Sequence, residues 1–229
     1  ILDGGPVVIS SNNGVGLIAS LNQQRRRPGT TAWTGVSQSM ALPVEQISNQ
    51  YVIPRYDYTS PTTKLNQILI ANVDNVTRDI TITIGGVVKG VYTLAPAESK
   101  YIRYTGLVGG PVVVSSVVGA KIVASLYELV RDPALSGWNG QSEMMGLPWA
   151  QISDQYLIPQ YFGASSPNTL VPSLYIANVD TKATTVEVKI AGVSKGTYVM
   201  QPNTSQVLNY IVDGGPVVVS NNNNAKIIV

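Results

Sequence analysis

Asp79-Ile80-Thr81-Ile82-Thr83-Ile84-Gly85-Gly86 is the stretch on which the fold turns. Branched residues fall on every second position, the period of a strand with one buried face, and the Gly pair supplies the positive φ that a tight hairpin needs. Thr185-Val186-Glu187-Val188-Lys189-Ile190-Ala191-Gly192 repeats the pattern. In each case a returning strand follows (Val91–Leu94, Thr197–Met200) and then a turn marked by Pro96 or Pro202.

The duplication runs along the whole chain. GGPVV occurs at Gly4–Val8, Gly109–Val113 and Gly214–Val218, with successive starts 105 residues apart. About half of the positions are identical between Gly4–Tyr56 and Gly109–Tyr161, and after a one-residue insertion Ala71–Tyr104 aligns with Ala177–Tyr210. The chain therefore holds two complete copies of a domain-sized unit and the opening of a third, an arrangement that serves length or multivalency. A unit of this size buries a core without disulfides or metals. Short apolar runs at Gln67–Val73, Tyr101–Tyr104, Pro111–Ser115 and Lys121–Leu126, with counterparts at Ser173–Val179, Gln206–Ile211, Pro216–Ser220 and Lys226–Val229, complete about seven strands per unit. With a turn every 8–12 residues, that number predicts an all-β fold of tandem immunoglobulin-like β-sandwich repeats.

Asn22–Ser48 and Tyr127–Ser153 lack alternation and carry Pro, Gly, Trp and Met; they are expected to be linkers, with one helical turn after Pro43 and Pro148. The expected domains are 46–129 and 151–229, joined by linkers 22–45 and 130–150, with 1–21 as the closing strand pair of a preceding repeat. Such a pair is marginal alone, so its edge is expected to meet a neighbour.

Charged residues make up 12%, half the usual share, and the net charge of +2 provides no field that attracts nucleic acid. With neither Cys nor His, a disulfide framework, a thiol nucleophile and an imidazole base are excluded. No metal site or cofactor is expected, and no apolar run is long enough for a membrane span. Charged positions are seldom kept between copies: Glu45 becomes Ala150, Asp57 becomes Phe162 and Asp79 becomes Thr185. Without a recurring pair of acids, no catalytic residue is assigned and the chain is not expected to be an enzyme. Of the kept positions, Asp74/Asp180 read as turn residues and Lys89/Lys195 as a hairpin bend with a solvated Lys. Lys–Asn amide crosslinks stabilise some cysteine-free sandwiches, but no retained acid stands near Asn178 with Lys121 or Lys226.

QYLIPQY at Gln155–Tyr161, LYIANVD at Leu174–Asp180, GTYVMQP at Gly196–Pro202, and then GGPVVVS and KIVASLY resemble the units of tandem-repeat cell-surface proteins of Chloroflexota-type bacteria. The resemblance covers both copies. It implies an exported, β-rich, structural or adhesive protein at the cell surface, and offers no catalytic residues.

The interface candidates are Trp33 and Trp138, at equivalent positions, with Trp149, Met40, Met145 and the Arg25-Arg26-Arg27 run. A Trp in a Gly-rich loop anchors a linker into a domain end or the next subunit, with Met filling gaps around it; the sharper alternative is stacking on a sugar face. Asn75 and Asn203 head N-x-S/T triplets in expected turns and are the positions a glycosylating host would modify. The function expected is a structural repeat of an extracellular filament or surface layer, assembling head to tail with itself; the alternative is an adhesin that binds surface glycans through its Trp-bearing loops.

Overall fold

Alternation becomes burial as expected: Ile80, Ile82 and Ile84 are 0%, 0% and 3% exposed, and Val186, Val188 and Ile190 match them. Gly85-Gly86 and Ala191-Gly192 form two-residue turns with φ of 59°/77° and 52°/79°, both positive, the geometry that matches strand twist. The computed structural model describes residues 4–26, 29, 31, 33–60, 62–131, 140–164 and 172–229.

The chain begins with β1 (Ser20–Arg26) and β2 (Trp33–Met40). The first repeat holds β3 (Gln50–Ile53), β4 (Tyr56–Asp57), β5 (Lys64–Asn72), β6 (Arg78–Ile84), β7 (Val87–Leu94), β8 (Ser99–Ile102), β9 (Val108–Gly109), β10 (Val112–Ser115) and β11 (Ile122–Val130). Then come β12 (Gly140–Met145) and β13 (Leu147–Pro148). The second repeat holds β14 (Gln155–Ile158), β15 (Tyr161–Phe162), β16 (Leu174–Asn178), β17 (Thr184–Ile190), β18 (Val193–Met200), β19 (Ser205–Leu208), β20 (Asp213–Gly214), β21 (Val217–Asn221) and β22 (Ile227–Ile228).

The ladders among the described residues are antiparallel, in an all-β architecture. In the first repeat a sheet ordered β13-β3-β10-β6-β7 faces one ordered β12-β11-β5-β8, with Ile80, Ile82, Val112 and Val114 of the first meeting Ile68, Ile70 and Ile122 of the second in one core. The second repeat keeps the order: β14-β21-β17-β18 accompanies β19-β16-β22 around Ile176, Val186, Val188 and Val219.

Each repeat fixes its interior with the same polar anchors. Asn72 and Asn178 are fully buried. The Asn72 carboxamide donates to the carbonyls of Val76, Leu94 and Ala95 (2.9–3.1 Å) and accepts from the Asp74 amide; that of Asn178 donates to Lys182 and Met200 and accepts from Asp180. A buried amide is stable only when so satisfied. The Tyr56 hydroxyl donates to the Asn66 carbonyl and accepts from the Tyr104 amide, and Tyr161 does the same with Pro172 and Tyr210. The hydroxyl pairs Tyr92–Tyr104 and Tyr198–Tyr210 are both 2.9 Å apart. The GGPVV motif owes its second Gly to close approach: a Cβ on Gly110 would collide with the Pro54 carbonyl, and one on Gly215 with that of Pro159.

Three expectations need correction. The stretches 22–45 and 130–150 are not irregular linkers: β1 with β2, and β11 with β12, form antiparallel hairpins. They lack apolar alternation because their faces are packed by Gln, Ser, Glu and Gly. Conversely 4–19, expected to hold strands, has none; its counterpart β10 lies between β3 and β6, and no such pair flanks 4–19. Finally, Lys89 and Lys195 are not in the hairpin bend. Each is the extra residue of a β-bulge, between Val88 and Gly90 and between Ser194 and Gly196.

Candidate functional site at the junction of the repeats

Burial in the β1–β2 hairpin is asymmetric. On one face Gln23 and Arg25 are half-buried and Ser37 is buried; on the other Asn22, Gln24, Val36, Gln38 and Met40 are exposed. The covered face lies on the β11–β12 hairpin, the equivalent element of the next repeat. There the Gln141 amide donates to Ser37 Oγ (3.0 Å) and Gln23 Oε1 (3.3 Å), while the Glu143 carboxylate accepts from Gln23 Nε2 (3.3 Å) and Ser125 Oγ (2.9 Å). The backbones approach so closely that a Cβ on Gly35 would lie 2.9 Å from Gln141 Cβ. Tyr127 borders the contact; burial raises its pKa, and the Arg25 guanidinium beside it pulls the other way without reversing the shift. Val36 and Gln38, exposed on the first hairpin, are the equivalents of Gln141 and Glu143. The surface that receives the stack in one copy is thus the surface displayed by the other.

The second contact covers the outer side of β3. Leu147 pairs with Val52 and Pro148 with Tyr51, adding a two-residue strand to the sheet edge. A 3-10 turn at Trp149–Gln151 follows. Trp149 and Ile152 join Val52, Val113, Leu147, Ala177, Val179 and Ile228 in an apolar cluster that bridges the repeats. Lys226 Nζ stands 4.8 Å from the Trp149 ring centroid, a cation–π contact. On the second repeat Leu157 replaces Val52 and is 68% exposed, where Val52 is 0%. Val44, which replaces Trp149, is 64% exposed.

The third contact is between loops. Gly110 lies against Ser205, where a Cβ would be 3.0 Å from Oγ, and Arg55 donates to the same hydroxyl at 3.4 Å. Gly86 abuts the Asn203 side chain. Gln151 Nε2 donates to Gln46 Oε1 at 3.1 Å. Beside these a cavity of about 50 Å³ is lined by Arg55, Asp57, Lys64, Glu128, Met144 and Tyr175, among others. Lys64 Nζ reaches Glu128 (3.0 Å), Asp57 (3.7 Å) and the Tyr175 hydroxyl (3.3 Å). Burial is the largest single effect and would lower the Lys64 pKa, but the Glu128 carboxylate and the Tyr175 hydroxyl together outweigh it and the net shift is upward. Gln160 and Phe162 stand where Arg55 and Asp57 would be in the second repeat, so this charged cluster is not duplicated there.

Of the residues singled out from sequence, Trp149 belongs to the junction through the apolar cluster, while Met145 is half-buried and pairs with Ser125 within the β11–β12 ladder. Met40 is 57% exposed. Trp33 stands opposite Arg26 in the β1–β2 ladder, and its side chain lies outside the described residues, as do Trp138 and Arg27. Asn75 and Asn203 are exposed; Asn203, with φ 56°, is the one beside Gly86. Asn178 is engaged by backbone groups and Lys226 by Trp149. Sequence reasoning missed Gln23, Gln141, Glu143 and the Gln46/Gln151 pair. The last left a signal, an identical Gln in both copies beside the Pro-led turn. No helix among the described residues is long and apolar enough to cross a membrane. Comparison with known families, curated proteins and solved structures found no match.

Proposed function

We propose that this chain is a structural repeat of an extracellular filament or surface layer, built from immunoglobulin-like sandwiches that join head to tail with further copies of themselves. One observation carries the reading: the surfaces that meet at the internal junction recur, exposed, as Leu157 on the second repeat and as Pro43-Val44 before the first, where Leu42 alone packs back on its own repeat. A contact between two different faces of the same unit does not close on itself, and so it propagates. Resemblance to tandem-repeat bacterial surface proteins supports the extracellular setting. No catalytic step is assigned to the chain. Glycan binding through the loops that bear Trp33 and Trp138 is the second reading; Trp149 is engaged at the junction and is not part of it.

Native Cys is absent, so crosslinking gives a clean test. Leu42 and Leu157 are the equivalents of the paired Leu147 and Val52. Chains carrying Leu42→Cys, mixed with chains carrying Leu157→Cys, should form an interchain disulfide under mild oxidation. Failure to do so, while the Leu147→Cys/Val52→Cys pair closes within one chain, would refute head-to-tail joining through this face.

A further inference from the structure

Gln46 and Gln151 are the same residue of successive repeats, and their carboxamides touch. An extended Gln side chain reaches about 5 Å from its Cα, so the two backbone positions are at most about 13 Å apart. A compact unit of about 100 residues has a radius of gyration near 13 Å and is roughly 33 Å across. Shifting such a body by a third of its diameter, without turning it, would drive it through its neighbour. Successive repeats are therefore related by a rotation with a small rise. A point moves least when it lies near the rotation axis, which places the axis close to Gln46.

A second location gives the same result. Gly35 adjoins Val36, the equivalent of Gln141, and its Cβ would lie 2.9 Å from Gln141 Cβ. Adding the bonds back to the Cα atoms and one step along the chain, position 36 moves no more than about 10 Å between repeats. The operation also recurs. Gly5 lies against Ser99, with a Cβ 3.4 Å from its Oγ, just as Gly110 lies against Ser205; Gly5 and Gly110 are equivalent, and so are Ser99 and Ser205.

We infer that the polymer proposed above is a tight spiral rather than a string of beads. A central spine is formed by the stacked hairpins and the Pro-led turns, and the sandwiches radiate outward from it. Each added repeat lengthens the spine by no more than about 10 Å, close to the usual spacing of face-packed sheets. A carboxamide both donates and accepts. Gln151 donates to Gln46 and keeps its oxygen for the next copy, so one Gln per repeat forms a ladder along the axis.

This inference rests on head-to-tail assembly for the polymer, but the geometry can be tested in the single chain. Nitroxide labels on Gln46→Cys/Gln151→Cys, both at exposed sites, should show strong dipolar broadening relative to either single label. Unbroadened spectra from a chain that keeps its β circular dichroism would overturn the spine. Electron microscopy then reads the helical rise. Filaments rising by 10 Å or less per repeat support the spiral, and a rise near 33 Å, one unit diameter, refutes it while leaving assembly intact. Broadening without any filament would sustain the geometry and defeat the assembly reading instead.

Discussion

Val52 and Leu157 hold the same position in the two repeats, yet one is fully buried and the other 68% exposed. Trp149 and Val44 differ in the same way, as do Glu143, hydrogen-bonded across the junction, and exposed Gln38. In each pair the local strand or turn is alike. The difference is whether a neighbouring repeat lies over it. Exposure here is a property of place in an array, and the two copies provide an internal control for each contact.

The broadest way to break the comparison is alkali, which acts on both copies together. Burial pushes the Tyr56 pKa up to about 12 and shifts Tyr51, Tyr104, Tyr127, Tyr156 and Tyr210 in the same direction. A folded-state pKa above the unfolded value of about 10 adds stability that is complete below pH 10 and is lost as pH rises towards 12. The phenolate absorbance of these six tyrosines should therefore appear together with loss of β circular dichroism; full ionisation of all twelve near pH 10 with the fold unchanged would contradict this.

Asn72→Ala and Asn178→Ala should each destabilise their own repeat by about 3–5 kcal/mol, because several buried backbone groups lose their partner. Denaturant melts should show similar losses for the two. The copies should part company at the junction. Val52→Ala is expected to cost about 2 kcal/mol, whereas Leu157→Ala in the single chain should stay within about 0.5 kcal/mol. Equal losses would show that the apolar cluster contributes nothing. Glu143→Ala, which strips Gln23 and Ser125 of an acceptor, should cost about 1–2 kcal/mol, against no measurable change for Gln38→Ala. The smallest contrast is Lys226→Ala, about 0.5–1 kcal/mol through its place over Trp149, with Lys121→Ala silent because Val44 carries no ring to match.

Strands with one apolar face were legible because the period of burial is written in Ile80, Ile82 and Ile84. The turns were legible because Gly85-Gly86 and Pro96 are restricted to few conformations. The hairpins were not. Ser37 is buried and Gln23, Gln141 and Glu143 are half-buried in a contact made by polar hydrogen bonds, so no hydrophobic period marks their strands, and a polar stretch with Pro and Gly reads as a loop. Asn72 and Asn178 were hidden for a related reason, since an Asn after an apolar run has the composition of a turn residue. Trp149 took the anchoring role through its position after the Pro-led turn, where its equivalent Val44 lacks a ring.

The strand added at Leu147–Pro148 is only two residues long, and half of it is Pro. Proline has no amide hydrogen to offer, so this addition ends the sheet instead of extending it. At the opposite edges, β7 and β18 carry bulges with Lys89 and Lys195 as the inserted residues, features that discourage pairing between sheets. Both edges of the sheet are thereby disfavoured for lateral pairing, whereas the faces at Leu157 and Val44 carry no such block. If the repeats do join head to tail as proposed, a chain rich in β edges could lengthen in one dimension without collapsing into bundles or amyloid.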